Sequence, residues 1–236
     1  MSAADRIIVA LDMPTAAEAL AMVDRLAGAA RWVKVGMTLF YAEGPGVVAQ
    51  VRERGLDVFV DLKIHDIPHQ ARGAAASLAR LGCGLMTVHA GGGAAMVAAA
   101  VQGAAEAGLP RPAVIAVTVL TSLDDAALRE TGVEDGAAGQ AARLATLATL
   151  AGADGIVCSP RETAAMRGLL GPDAHIVTPG VRPEWASADD QARVATPRDA
   201  LAAGASHLVI GRPITGADDP EDAFRRIISE IEEDPA

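Results

Sequence analysis

At 236 residues the chain is longer than an average domain, yet no low-complexity linker or shift in composition marks a boundary. We expect one domain, since α/β barrels reach about 250 residues as a single unit. The formal net charge of -10 argues against a nucleic-acid surface, which needs basic patches to neutralise phosphates. Apolar residues make up 51% of the chain and aromatic residues 3%, so the core must be built from Ala, Val, Leu and Ile.

The N-terminus and the cysteines indicate a cytoplasmic protein. MSAADRIIVALD reaches charged residues almost at once, unlike a secretory signal peptide. Ala-rich runs such as AAMVAAAVQGAAEAG are too short and too polar to span a bilayer. Cys83 and Cys158 lie far apart in apolar surroundings, a pattern typical of buried free thiols in a reducing compartment.

Eight short runs rich in β-branched residues predict strands. In chain order they are RIIVALD, WVKVG, DVFVDLK, LMTVHA, AVIAVTVL, GIVCS, HIVTPG and HLVIGRPI. Between them, apolar residues at three- and four-residue spacing predict helices, among them 15–28, 71–82 and 138–152. Glycines stand where C-terminal helix caps would fall, at Gly28, Gly55, Gly82, Gly108 and Gly204.

Nearly continuous apolar strands, each followed by a helix, indicate a parallel sheet covered by helices. Eight such units without a domain break favour an α/β fold of the (β/α)₈ TIM-barrel type, with residues 1–236 as a single domain. The alternative is an open doubly wound sheet. No G-x-G-x-x-G follows the first strand, which weakens a dinucleotide-binding version of that alternative.

Polar residues interrupt the predicted strands mainly at their C-terminal ends, where TIM barrels hold their active sites. They are Asp12, Lys34, Asp61, Lys63, His89, Thr121 and Arg212.

Asp61 and Lys63 stand two apart on the third strand, so we expect their side chains to share one face. Lys34 on the neighbouring strand and Asp66 just beyond complete a possible array of two ammonium and two carboxylate groups. An ordinary ion pair is the alternative, but burying four charges without a function is costly. Flanking carboxylates stabilise the ammonium form of Lys63, which favours a proton donor over a Schiff-base nucleophile.

Two further features have open interpretations. His65 beside Asp61 and Asp66 is either a metal ligand or a packing histidine, and one histidine is weak support for a metal. Gly211–Arg212 after the last strand, with Gly180 and Arg182 after the seventh, is typical of a phosphate site. The long stretch 182–196 is then either a closing lid or an ordinary surface connection.

Nine motifs together resemble the orotidine 5′-phosphate decarboxylase family, in the family's order and over almost the whole chain. They are IIVALD, VKVGMTLFYAEGP, DLKIHDIP, VHAGGG, VTVLTS, GIVCS, VTPGVRP, DQARVATP and VIGRPIT. Asp-x-Lys-x-x-Asp alone is shared with related sugar-phosphate enzymes, but its combination with DIP, TPGVR and GR is more specific.

The resemblance implies a role for each matching residue. Lys63 is the proton donor, Asp61 lies beside the substrate's departing carboxylate, and Lys34 holds a hydroxyl and the charged network. Asp66 reaches into the partner subunit's site, which makes the protein a homodimer. The other implied substrate contacts are Asp12 at the ribose, Thr121 and Ser122 at the pyrimidine, and Arg182, Gln191, Gly211 and Arg212 at the phosphate. Gln70 departs from the family, which usually has Thr there, and its contact with the neighbouring site is in doubt.

The implied reaction is the decarboxylation of orotidine 5′-phosphate to UMP, without cofactor or metal. Loss of CO₂ from C6 leaves a vinyl carbanion, which preorganised positive charge must stabilise. The nearest alternative is a Mg²⁺-dependent sugar-phosphate enzyme such as 3-keto-L-gulonate 6-phosphate decarboxylase or hexulose-phosphate synthase. A catalytically idle UMP-binding barrel is the alternative from another class.

Overall fold

The computed structural model describes residues 1–26, 28–108, 110–186 and 195–233. It confirms the TIM barrel, because eight parallel strands close in sequential order, β1 pairing with both β2 and β8. The strands β1 to β8 span Ile7–Leu11, Trp32–Gly36, Asp57–Ile64, Leu85–His89, Ala113–Val117, Gly155–Val157, His175–Pro179 and His207–Ile210.

Helices follow each strand and cover the barrel. In the described residues α1 to α11 span Ala16–Arg25, Met37–Glu43, Gly46–Arg52, Pro68–Ala79, Ala94–Ala105, Asp125–Glu130, Gly136–Leu150, Thr163–Leu170, Pro197–Ala202, Arg212–Thr215 and Pro220–Glu232. The predicted helices 15–28, 71–82 and 138–152 correspond to α1, α4 and α7, and α4 begins three residues earlier because Pro68 fits the first helical turn. None of the helices in the described ranges is long and apolar enough to cross a membrane.

The five predicted cap glycines all adopt left-handed backbone conformations, with φ between 74° and 104°. An L side chain is strained there, so glycine ends each helix and turns the chain back toward the next strand.

Apolar side chains form two layers, one inside the barrel and one between barrel and helices. The inner layer includes Ile8, Ala10, Phe59, Leu85, Ile115, Val177 and Val209. Trp32 and His207 pack edge to face at the amino ends of their strands, and His207 stacks on His175, with ring centroids 6.0 and 5.8 Å apart. The barrel is thus filled with side chains at the amino ends of its strands, opposite the end where TIM barrels bind ligands.

Both cysteines are buried and free, as predicted. Burial raises the pKa of the Cys83 and Cys158 thiols to about 12. Neither thiol ionises near neutral pH, so neither is a candidate nucleophile.

Candidate active site

A cavity of about 390 Å³ opens at the carboxyl ends of the strands. Its volume lies within the range of small-molecule sites, and its floor includes Phe59 and Val177 of the inner apolar layer. Eight of the residues predicted from the sequence line it: Asp12, Lys34, Asp61, Lys63, Thr121, Arg182, Gly211 and Arg212.

Four of these residues form a continuous row of alternating charge. The Lys34 ammonium lies 3.0 Å from Asp12 Oδ1 and 3.7 Å from Asp61 Oδ2. The Lys63 ammonium lies 2.8 Å from Asp61 Oδ1. The order is therefore Asp12, Lys34, Asp61, Lys63, and each inner member touches two opposite charges.

The position of Lys34 follows from strand register. Lys34 pairs with Ala10 on one side and with Phe59 on the other, and both of these belong to the inner apolar layer. Its side chain therefore points into the barrel, where it is only 11% exposed. A buried ammonium needs carboxylate partners, which Asp12 and Asp61 provide.

The row contains both lysines of the chain. Of the 20 cationic residues, 18 are arginines, and the two lysines are Lys34 and Lys63. Arginine stays protonated in proteins, whereas a lysine ammonium can give up a proton. Among the lysine and arginine side chains, those able to give up a proton therefore all lie in this row.

The third strand is irregular where it carries the charges. Val60 pairs with Met86, and the next pair is Ile64 with Val88, so residues 61–63 stand opposite Thr87 alone. Lys63 has φ 52°, and it is the one non-glycine residue with positive φ among the described positions. That conformation costs about 1–2 kcal/mol, and such strain clusters at functional sites. Asp61 and Lys63 do meet, as predicted, but across a bulge rather than along a regular strand.

The side of the cavity formed by the loops after β7 and β8 is cationic. Arg182 is 8% exposed, and its main-chain N–H donates to the Ala195 carbonyl at 3.0 Å, joining the two ends of the loop after β7. On the same loop, Trp185 stacks on the Arg226 guanidinium of α11, 4.2 Å from the ring centroid. Arg212 opens α10 directly after β8. Gln191 and most of the predicted lid lie outside the described residues.

Two predicted contacts lie away from this cavity in the single chain. Asp66 is exposed, and its Oδ1 accepts the Ile67 N–H at 2.6 Å rather than an ammonium. Asp12, not Asp66, completes the charged row. Ser122 lines a neighbouring cavity of about 510 Å³ that shares Thr121, Gly180 and Arg212 with the first. Gln70 is exposed on α4.

His65 stacks on His89, with ring centroids 5.0 Å apart and planes inclined by 15°. His89 Nδ1 accepts the Gly91 N–H, so its other ring nitrogen carries the proton in the neutral form. Burial, followed by the charges of His65 and Lys63, lowers the pKa of His89. Within the described ranges, no three or more His, Cys, Asp or Glu side chains form a group able to hold a metal ion. The geometry of His65 therefore matches the packing interpretation.

Sequence reasoning missed Thr87. Its hydroxyl accepts the Lys63 main-chain N–H at 2.8 Å and donates to Asp61 Oδ1 at 3.0 Å. No signal in LMTVHA distinguishes it, because threonine is common in ordinary strands.

Comparisons with known proteins agree on one family. The model of the orotidine 5′-phosphate decarboxylase / HUMPS family matches residues 5–227. The orotidine 5′-phosphate decarboxylase of Moorella thermoacetica is 54% identical over 98% of this chain and 94% of its own length. That of Alkalilimnicola ehrlichii is 52% identical over 96% of both chains. The crystal structure of orotidine 5′-phosphate decarboxylase from Lactobacillus acidophilus matches with a TM-score of 0.87 and 38% identity, covering 97% of this chain and all of the other.

Proposed function

Since the chain belongs to the orotidine 5′-phosphate decarboxylase / HUMPS family, we propose that it converts orotidine 5′-phosphate to UMP and CO₂ in pyrimidine synthesis. The observation that carries the proposal is the row of Asp12, Lys34, Asp61 and Lys63, which places the chain's two lysines at the mouth of the barrel. The catalytic group consists of Lys63, Asp61 and Lys34, with Asp66 supplied by a second subunit.

The two sides of the cavity match the two ends of the substrate. Arg182, Arg212 and the Gly211 backbone receive the phosphate. Gln191, which lies outside the described residues, is assigned to the same group by the family resemblance. Asp12 and Lys34 bind the ribose hydroxyls. Thr121 and Ser122 border the pyrimidine, whose C6 then faces Lys63 and Asp61.

The reaction needs a positive charge at the place where negative charge develops. Cleavage of the bond between C6 and the carboxylate releases CO₂ and leaves the electron pair on C6, where no carbonyl is positioned to delocalise it. The Lys63 ammonium stabilises this pair electrostatically and then donates a proton to C6. The resulting amine regains a proton from solvent, so one substrate and one proton give UMP and CO₂. No step requires a cofactor or a metal.

Asp61 has two functions in this scheme. It holds the Lys63 ammonium at 2.8 Å, which fixes the proton donor before substrate binds. It also lies beside the substrate carboxylate, and their repulsion adds a smaller ground-state effect. Phosphate contacts distant from C6 provide binding energy that orders the site.

The complete site belongs to a homodimer. Asp66 is exposed and lies outside its own row, which leaves it able to enter the site of a second subunit. The segments after β2 and β3 carry exposed apolar side chains that suit a subunit interface: Met37, Tyr41 and Ile67. Residues 1–236 act as one cytoplasmic barrel domain that binds no nucleic acid, in keeping with the net charge of -10.

Replacing Lys63 tests the proposal. Lys63→Ala removes both the charge and the proton donor, and Lys63→Arg keeps the charge but does not give up a proton at neutral pH. We expect both variants to lose turnover by at least about 1,000-fold. Turnover is measured by the ultraviolet absorbance change as orotidylate becomes UMP.

Binding of UMP serves as the control for folding. Because the phosphate and ribose contacts are intact, both variants should bind UMP. Near-normal turnover by either variant would contradict the assignment of Lys63 as the proton donor.

A further inference from the structure

We propose that Thr87 is a positioning residue for the decarboxylation, because its hydroxyl holds the catalytic Asp61 and Lys63 in their working geometry. The inference rests on the proposed function of the charged row. It adds a residue from β4 that no sequence motif marked.

The bulge in β3 creates the need for such a residue. Between the pairs Val60–Met86 and Ile64–Val88, residues 61–63 of β3 face Thr87 alone. The Lys63 main-chain N–H therefore has no carbonyl of β4 in register, and a buried N–H without a partner is destabilising. The Thr87 hydroxyl accepts this N–H at 2.8 Å.

The same hydroxyl fixes the carboxylate. It donates its one proton to Asp61 Oδ1 at 3.0 Å, and that oxygen also accepts the Lys63 ammonium at 2.8 Å. The contacts form a closed ring from the Lys63 backbone through Thr87 and Asp61 to the Lys63 side chain. Thr87 is fully buried, so its hydroxyl is shielded from solvent.

Other buried threonines of the described chain serve main-chain groups or each other. The Thr118 hydroxyl donates to the Val157 carbonyl, and Thr163 donates to the Ser159 carbonyl. Thr178, also fully buried, shares a hydrogen bond with the Thr163 hydroxyl at 3.3 Å. Thr178 is thus a matched control, since it is a strand threonine with a buried, bonded hydroxyl but without contact to the charged row.

Removing the hydroxyl should separate chemistry from binding. Without it the Asp61 carboxylate keeps its two ammonium contacts but loses a hydrogen bond, and the bulge loses its cross-strand bond, so the Lys63 ammonium shifts away from C6. The cationic side of the cavity is unaffected, because Arg182 and Arg212 come from the loops after β7 and β8. Small displacements of a reacting group reduce the rate much more than they reduce affinity for product.

The test compares Thr87→Val, Thr87→Ala and Thr87→Ser with Thr178→Val. We expect Val and Ala at position 87 to lower kcat for orotidylate about 10- to 100-fold, while the Kd for UMP changes less than about threefold. Thr87→Ser restores the hydroxyl and should retain kcat within about threefold of the parent, as should Thr178→Val.

Each outcome decides the inference. Parent-like kcat in Thr87→Val or Thr87→Ala would overturn it, and so would equal losses of kcat and UMP affinity, which indicate general damage. A Thr87→Ser variant below about a tenth of parental kcat would also overturn it, even if the larger changes prevent folding. If the parent protein itself does not decarboxylate orotidylate, the proposed function fails instead.

Discussion

The charged row depends on one small residue as well as on its four charged ones. A Cβ added at Gly36 would lie 2.8 Å from the Lys34 ammonium and 3.2 Å from Asp12 Oδ1. The backbone there is extended, with φ -92° and ψ -178°, so other residues could adopt it. Glycine is needed at this position for the space it leaves to the ion pair, not for its conformational freedom.

Gly36→Ala should therefore displace the Lys34–Asp12 pair while the barrel still folds. We expect kcat/KM for orotidylate to fall about 10- to 100-fold, because a catalytic network moved by a fraction of an ångström loses preorganisation. Steady-state kinetics with a thermal melt of each protein measures both effects.

Gly46→Ala provides the control, since a Cβ there would meet only Gln50 Nε2, at 3.9 Å. Its kinetics should equal those of the parent. A Gly36→Ala variant with unchanged kcat/KM would show that the position of Lys34 does not limit the reaction.

At the scale of elements, helices α4 and α5 approach so closely that backbone meets backbone. A Cβ at Gly103 of α5 would lie 2.1 Å from the Arg72 carbonyl oxygen of α4. Ala71 and Ala75 of α4 are both fully buried. Small side chains let these helices cover neighbouring strands without aromatic residues, in a chain that has only 3% of them.

Gly103→Ala and Gly168→Ala should change stability in opposite directions. At Gly103 the extra methyl forces the two helices apart, and we expect the free energy of unfolding to fall by about 1–3 kcal/mol. Gly168 is exposed within α8, and a Cβ there meets nothing within 4 Å. There alanine should add about 0.5–1 kcal/mol through its better helix propensity.

Urea unfolding of the two variants and the parent measures both changes in the free energy of unfolding. A Gly103→Ala protein as stable as the parent would show that α4 and α5 can accommodate an extra methyl group between them.

Features that depend on local sequence could be predicted, and features that depend on strand pairing could not. Strands, helices and cap glycines were predicted because each depends on local pattern and backbone conformation. The bulge at Lys63 was not, because register depends on how β3 and β4 pair over a long sequence separation. For the same reason Thr87 carried no signal, although it contacts both Asp61 and Lys63.

For the whole molecule, the register of neighbouring strands around the barrel decides which charges meet. Asp12 and Lys34 come from different strands, and only the register of β1 with β2 brings them within 3.0 Å. Residue order along the chain favoured Asp66 as the fourth member, but within one subunit Asp66 bonds the Ile67 N–H instead. A site that spans two subunits reconciles this geometry with the role implied for Asp66.

Mixing inactive subunits tests that arrangement. In a dimer of one Lys63→Ala chain and one Asp66→Asn chain, one site has both defects and the other has none. Random pairing should therefore restore about a quarter of the parental activity.

Lys63→Ala mixed with Asp61→Asn is the control, because both residues belong to the same subunit's site and no intact site can form. Absence of recovery in the first mixture, with subunit exchange verified, would show that Asp66 does not act across the interface.

Turnover of orotidine 5′-phosphate by EDTA-treated protein tests the proposed metal-independent decarboxylation most directly. In the proposed mechanism the charged row supplies the electrostatic stabilisation itself, so UMP and CO₂ should form at a rate within about twofold of that with added Mg²⁺. A Mg²⁺-dependent sugar-phosphate enzyme would instead lose its activity when EDTA removes the metal. Failure to decarboxylate orotidylate, or activity that appears only when Mg²⁺ is restored, would contradict the assignment.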